Sequence, residues 1–113
     1  MSSVKVKKIA SQISKEVSDI LINEASDSLL KTITVTGCEV SKDVSVAKIY
    51  FTSISTLTIN ELESELAEAS GYIRTILADR IDLRHTPTLA FKYDKSIEYG
   101  NKIESIIKGL NQK

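Results

Sequence analysis

Residues 32–53 read TITVTGCEVSKDVSVAKIYFTS, and this stretch decides the fold. It holds two runs rich in β-branched side chains, which favour strands, with the polar turn Ser-Lys-Asp between them. The apolar positions of the first run are Ile33, Val35, Cys38 and Val40. They change from odd to even beside Gly37, which predicts a β-bulge, because one extra residue turns every later side chain to the opposite face. The stretch therefore predicts an antiparallel hairpin whose first strand is bulged.

The segments on either side of the hairpin show helical or strand periodicity. Apolar residues at spacings of three and four indicate helices, and strict alternation indicates a strand. The predicted elements are a helix from about Val4 to Ala25, a helix that begins at Thr58 or Asn60, a strand over Leu89–Asp94, and a last amphipathic helix from Ser96. Both side chains proposed at the start of the second helix are of types that cap helices.

Gly71 lies in the middle of a long helical pattern and predicts a bend there. The apolar spacing that includes Leu66 continues beyond it to Ile73. A glycine inside a helix costs about 1 kcal/mol relative to alanine, so we expect it to serve a purpose. The pattern predicts that the motif Ala69-Ser70-Gly71 divides the segment into two helices joined by a bend.

The predicted order is helix, strand, strand, helix, bent helix, strand, with a terminal helix appended. Three strands expose one hydrophobic face that helices cover, which predicts an α+β fold of two layers. The order αββααβ resembles the type-II KH-like topology, a small scaffold often used on RNA. A KH domain that clamps single-stranded RNA needs a Gly-x-x-Gly loop. No two of the four glycines are three residues apart, so we expect a kinked helix pair in place of that loop.

The composition excludes several classes of function. A chain of 113 residues has room for one domain, and no more than three apolar residues run consecutively, which predicts no transmembrane span. Cys38 is the only cysteine and His85 the only histidine, so multi-cysteine and two-histidine metal sites are excluded. The phosphate-binding and nucleophile motifs GxxxxGKS/T, GxGxxG and GxSxG are absent. We therefore expect no catalytic residue, no metal and no cofactor.

The charges cancel in number but are segregated along the chain. Fifteen Lys and Arg balance fifteen Asp and Glu. Residues 1–15 carry four lysines and no acid, whereas residues 56–71 carry four glutamates and no base. Residues 72–95 have five basic and three acidic side chains. A neutral molecule with separated poles can steer a polyanion onto one side, although solvated faces would give the same pattern.

Four stretches of the sequence carry a family pattern in order along the chain. They are ITVT to VSKD (residues 33–43), AKIY (47–50), ASGYIR to LR (69–84) and PTLAFKYDKSI (87–97). Together with the basic first helix, these stretches resemble the bacterial ribosome-binding factor A family. In that family an Ala-x-Gly kink replaces Gly-x-x-Gly, and Ala69-Ser70-Gly71 matches it. The segment before the first strand lacks the proline often seen in the family.

The resemblance implies a non-catalytic assembly factor for the small ribosomal subunit. Its partners would be the free small subunit and its ribosomal RNA, with no membrane and no small-molecule substrate. It would act as a cytoplasmic monomer that assists late maturation, including processing of the RNA's 5′ end and growth in the cold. The KH-like RNA- and ribosome-binding domain would span residues 1–96, and a C-terminal helical extension would span residues 97–113.

We expect this factor to recognise the RNA backbone by shape and charge. The predicted RNA-binding residues are Lys5, Lys7, Lys8, Lys42, Arg74, Arg80 and Arg84. Arg80 faces the apolar stripe of its helix, so covering the core is an equal expectation for it. Arg74 could instead pair with a nearby glutamate. Two alternative functions stay open, a generic single-stranded RNA-binding module and a protein-interaction adaptor whose acidic helix, Glu61–Glu68, binds a basic partner.

Overall fold

The computed structural model of the protein describes residues 4–24 and 28–95, which form an α+β fold of two layers. Its elements are α1 (Val4–Asn23), a short 3-10 helix (Leu30–Thr32), β1 (Ile33–Val40), β2 (Val46–Ser53), α2 (Ile59–Arg80) and β3 (Thr88–Tyr93). The predicted fold class is confirmed. The predicted helix from Ser96, and the boundary between residues 1–96 and 97–113, lie outside the described residues.

The hairpin has the form that its sequence predicts. β1 runs antiparallel to β2, and the register shifts between Val35 and Gly37, which confirms the bulge. The connecting turn is held by Asp43, whose Oδ1 accepts hydrogen bonds from the hydroxyls of Ser41 (2.8 Å) and Ser45 (2.7 Å). Val44 follows with φ 59°, a left-handed conformation that is costly for a β-branched residue.

β3 completes the sheet on the other side of β2. It runs parallel to β2, so that the strand order is β1-β2-β3, and Val46 pairs with Thr88. A parallel connection needs a crossover, which α2 supplies between β2 and β3. One face of the sheet is buried, and its most buried members are Ala47, Ile49 and Phe51.

The two helices cover that buried face. α1 contributes Val6, Ile9, Ile13, Val17, Ile20 and Leu21 to the core. Their spacing of three and four residues places them on one side of the helix, as the sequence predicts. α2 contributes Leu62, Leu66, Ile73 and Leu77. Among the described residues, no polar or charged residue is fully buried, so the core is held by apolar packing.

The start of α2 is fixed by Thr58, the first of the two residues predicted to cap it. Its side-chain oxygen accepts a hydrogen bond from the Glu61 backbone N–H at 3.2 Å, and its hydroxyl donates to Glu61 Oε1 at 2.9 Å. Asn60 lies inside the helix. A capped N-terminus followed by glutamate suits the positive end of the helix dipole.

The predicted division of α2 into two helices is wrong. Residues 59–80 form one α-helix that runs through Ser70 and Gly71. The buried side chains of Leu66 and Ile73, seven residues apart, keep the same face on both sides of the glycine. Burying one such side chain stabilises by about 1.5–3 kcal/mol, which exceeds the cost of about 1 kcal/mol for one glycine. The continuous apolar stripe therefore outweighs the helix-weakening residue.

Candidate nucleic-acid interface

Three connecting segments meet at one end of the sheet. The start of α1, the β1–β2 turn and the α2–β3 loop together enclose a cavity of about 230 Å³. It is lined by Lys5, Ile9, Asp43, Val44, Leu83, Arg84 and His85. Lys42 is exposed in the same turn. We call Lys5, Lys42 and Arg84 the basic end, and these three predicted RNA-binding residues lie together although they are far apart in sequence.

The opposite end of the sheet is acidic. α2 begins there, since the Glu63 carboxylate accepts a hydrogen bond at 2.9 Å from the backbone N–H of Tyr93, the last residue of β3. Glu61, Glu65 and Glu68 are exposed on the same first turns of the helix. The acidic side chains of α2 and the three residues of the basic end therefore lie at opposite ends of the sheet.

Asp43 is an acid within the basic end, and its own turn holds it. The hydroxyls of Ser45 and Ser41 donate to its carboxylate and keep the pKa of that carboxyl below its usual value. It therefore stays ionised and offsets part of the local positive charge. The strained backbone of Val44 beside it is consistent with a functional turn, because such strain is stored where the surroundings require a particular shape.

A second, larger groove extends from the basic end along α2. Its volume is about 690 Å³. It is lined by Gly71, Arg74, Thr75, Ala78, Asp79, Arg84, His85 and Thr86. Arg84 and His85 line both this groove, which we call the α2 groove, and the cavity at the basic end. The two therefore form one continuous surface, and His85, the single histidine of the chain, lies at their junction.

Arg74 is exposed in the α2 groove, and its guanidinium is held by a backbone carbonyl of the α2–β3 loop. Its Nε and one terminal nitrogen donate to the carbonyl oxygen of Thr86, at 3.2 Å and 2.7 Å. The guanidinium has five N–H donors, so three remain for a ligand. Among the described residues, Arg74 forms no ion pair with a glutamate, which was the alternative that the sequence left open. Anchoring by a backbone carbonyl preserves the positive charge and orients the planar group.

Gly71 leaves the backbone of α2 bare in the same groove. A Cβ added there would meet no atom within 4 Å, and its φ is not positive. No contact among the described residues therefore requires a glycine at this position. The other two residues of its motif have local roles, because Ala69 packs on the core and the Ser70 hydroxyl donates to the Ala67 carbonyl at 2.7 Å. A bare helix surface admits a close backbone approach by a ligand.

Arg80 belongs to an ion-pair cluster between the helices. Its guanidinium donates to carboxylates of α1 and the residue that follows it, namely Glu16 at 3.2 Å, Asp19 at 2.5 Å and Glu24 at 3.0 Å. The hydrogen bond from Arg80 lowers the pKa of the Asp19 carboxyl, and the hydrogen bond to Asp19 raises the pKa of Arg80. Because three carboxylates already neutralise the Arg80 guanidinium, we interpret Arg80 as a residue that stabilises the packing of α1 against α2.

The three lysines at the start of α1 do not share one surface. Lys5 lines the cavity at the basic end, whereas Lys7 lines a separate groove between α1 and β1. Lys8 is exposed. Within residues 4–24 and 28–95, none of these lysines forms an ion pair with a carboxylate. Their charges are therefore available to an anionic ligand.

The described part of the chain offers few groups suited to catalysis. Residues 4–24 and 28–95 contain no group of three or more His, Cys, Asp or Glu side chains that could hold a metal ion. Burial, with a smaller contribution from Glu39, raises the pKa of the Cys38 thiol to about 11, so little thiolate is present at neutral pH. No helix in this part is long and apolar enough to cross a membrane.

The matching family model and two known proteins of similar sequence carry the same description. The family model described as ribosome-binding factor A matches residues 5–107. The ribosome-binding factor A of Staphylococcus carnosus is 39% identical over 114 residues, which covers 100% of this chain and 99% of that protein. The protein of the same description from Macrococcus caseolyticus is 38% identical and covers 97% of each chain.

Solved structures of the same description share the fold. The crystal structure of ribosome-binding factor A from Thermus thermophilus has a TM-score of 0.67 at 24% identity, over 76% of this chain and 92% of that one. A Thermus thermophilus model of the factor, fitted into a cryo-EM map of a 30S complex, has a TM-score of 0.65 at 23% identity, over 80% and 96%. Given the family match over most of its length and its relatives at 38–39% identity, the chain belongs to the ribosome-binding factor A family.

Proposed function

We infer that this protein is a non-catalytic assembly factor that binds the small ribosomal subunit by its ribosomal RNA. The observation that carries the proposal is the continuous surface formed by the basic end and the α2 groove, which share Arg84 and His85. Family membership supports the same conclusion, and a Thermus thermophilus relative was fitted as a complex with the 30S subunit. In finer detail, we propose a cytoplasmic monomer that acts on the immature subunit and assists 5′-end processing and growth in the cold.

The surface is suited to the phosphate backbone of folded RNA. Lys5, Lys42 and Arg84 supply cations at the basic end, and Arg74 supplies a fourth in the α2 groove. The bare helix at Gly71 lets a strand come close to these groups. Lys7 and Lys8 stay in the proposed RNA contact set because both are exposed at the start of α1, although Lys7 lies outside the basic end. Arg80 is left out, because its donors are engaged by carboxylates.

Binding through phosphates makes a quantitative expectation about salt. Each neutralised phosphate changes the slope of log affinity against log salt by about −0.7 to −0.9. Six contacts, one for each cation of the proposed contact set, give a slope between about −4.2 and −5.4. Backbone contacts position a protein without reading bases, so selectivity for the subunit would come from the folded shape of its RNA.

Gradient sedimentation of cell extract tests the proposal. The account predicts that the protein travels with free small subunits and is absent from translating ribosomes. Cosedimentation that survives nuclease treatment would instead favour an adaptor that binds a basic protein through its acidic helix. Retention of short single-stranded oligonucleotides as strongly as of small subunits would favour a generic RNA-binding module.

A further inference from the structure

A separate groove lies between α1 and the free edge of β1, on the side of the sheet away from β3. Its volume is about 490 Å³. It is lined by Lys7, Ala10, Ser11, Ser14, Lys15, Gly37 and Cys38. We call it the α1–β1 groove. It shares no lining residue with the basic end or the α2 groove, so it is a distinct surface.

The α1–β1 groove presents hydrogen-bond donors and positive charge and contains no acid. Lys7 and Lys15 lie eight residues apart on α1, which is about 12 Å along the helix axis. Ser11 and Ser14 lie between them, and in the described part of the chain these four side chains have no hydrogen-bond or ion-pair partner. Glu39, which follows Cys38 in β1, does not line this groove and lines two neighbouring cavities instead. The lining is therefore complementary to an anionic ligand.

The floor of the groove is made of small residues. A Cβ at Gly37 would meet nothing within 4 Å, and the φ of Gly37 is not positive. The backbone conformation therefore does not require a glycine, and the missing side chain leaves open space in the groove. Ala10 and Cys38 complete the floor. Donors along one wall and a bare floor fit an extended phosphodiester chain. At about 3.4 Å per stacked nucleotide, 12 Å spans three to four nucleotides.

The edge of β1 could in principle accept an added strand from another protein instead. Its bulge beside Gly37 interrupts the regular row of backbone groups that such a strand would need. An added strand's backbone would also carry no charge to neutralise Lys7 and Lys15. RNA satisfies both the charge and the donors, so the lining favours RNA over a protein strand.

We propose that the α1–β1 groove binds a second, single-stranded segment of ribosomal RNA through its phosphates, with Lys7 and Lys15 as the cationic contacts. This inference rests on the proposed function, because it takes the same RNA as ligand. It adds a contact on a surface separate from the α2 groove. The protein would then bind two RNA segments at once and hold two parts of the immature subunit together.

Substitution of Lys15 tests this inference without touching the basic end. The equilibrium affinity of Lys15→Gln is measured for purified small subunits and for deproteinised small-subunit RNA, over a series of salt concentrations. One lost phosphate contact removes about 0.7 from the magnitude of the salt slope and lowers affinity about fivefold at 0.1 M salt. Ser11→Glu adds an acid to the groove, and a glutamate at this position can form an ion pair with Lys15 one helical turn later. This variant is expected to weaken binding at least as much as Lys15→Gln.

Lys31→Gln is the matched control, because Lys31 is exposed on the 3-10 helix and loses the same charge. It is expected to bind within twofold of wild type. If Lys15→Gln also binds within twofold while Arg74→Gln and Arg84→Gln weaken binding, this inference alone is overturned. If the loss appears with intact subunits but not with deproteinised RNA, a protein occupies the groove and the RNA assignment is wrong. If wild type binds neither probe, the proposed function and this inference both fail.

Discussion

Replacing Gly71 with alanine separates what the glycine costs the free protein from what it offers a ligand. Gly71 lies inside α2 with a φ that alanine adopts freely, and a Cβ there meets no atom within 4 Å. Alanine therefore brings no clash, and it removes the entropic cost of a glycine inside a helix. We expect Gly71→Ala to raise the free energy of unfolding by about 0.5–1 kcal/mol. For a domain near 100 residues, the upper value corresponds to a rise in Tm of about 4 °C.

The reverse change at Ala78 is the matched control. Ala78 is exposed on the same helix and lines the same α2 groove. Ala78→Gly is expected to lower the free energy of unfolding by about 1 kcal/mol, because it introduces the cost that Gly71→Ala removes. Urea titration of both variants, analysed with a common m-value, measures both changes.

The affinity of Gly71→Ala for small subunits completes this test. If RNA approaches the bare backbone of α2, the added methyl group blocks that approach, and affinity falls while stability rises. Opposite signs of the two effects distinguish a ligand-contact role from damage to the fold. A destabilised Gly71→Ala variant would refute the reasoning about the helix. A stabilised variant with unchanged affinity would refute the close approach at Gly71.

Two further predictions concern the ion-pair cluster and the single thiol. Arg80→Met is expected to lower Tm at pH 7, because it removes the partner of the Asp19 carboxylate. Since the pKa of Asp19 is lowered in the native protein, its stabilising contribution is lost as it is protonated, and the Tm difference from wild type should shrink below about pH 4. A Tm difference that is independent of pH would contradict the assignment of Arg80 to the ion-pair cluster. Alkylation of Cys38 by iodoacetamide at pH 8 should be about a hundredfold slower in the native chain than in urea, because burial raises the thiol pKa from 9.0 to about 11. Rates within threefold of each other would show that the thiol is exposed.

The local pattern of the sequence was sufficient for most of the elements. The change of phase beside Gly37 predicted the bulge, and the residue types at the start of α2 included its cap, Thr58. These features depend on neighbours within a few residues, so the sequence shows them directly. The direction of β3 was not predicted, because the alternation of its side chains is the same in a parallel and an antiparallel strand.

Other features of the structure depend on residues that are distant in the sequence. Gly71 weakens its helix locally, but the buried residues on either side hold the helix together across it. Arg80 meets carboxylates 56–64 residues earlier in the chain, which no local pattern reveals. The sequence was sufficient to predict that Lys5 and Lys7 point in different directions, since an advance of two residues along a helix rotates the side chain by about 200°. Grouping them by sequence alone concealed the α1–β1 groove.

The central claim is that the basic end and the α2 groove form the surface that binds small-subunit RNA. The most direct test compares the double variant Arg74→Gln, Arg84→Gln with the double variant Lys31→Gln, Lys48→Gln, which loses the same charge at exposed positions outside that surface. For purified small subunits at 0.1 M salt, the first pair is expected to weaken binding about 25-fold and to reduce the salt slope by about 1.4, while the second stays within twofold of wild type. Equal losses in the two pairs would contradict the account, because they would show that binding depends on total charge and not on this surface.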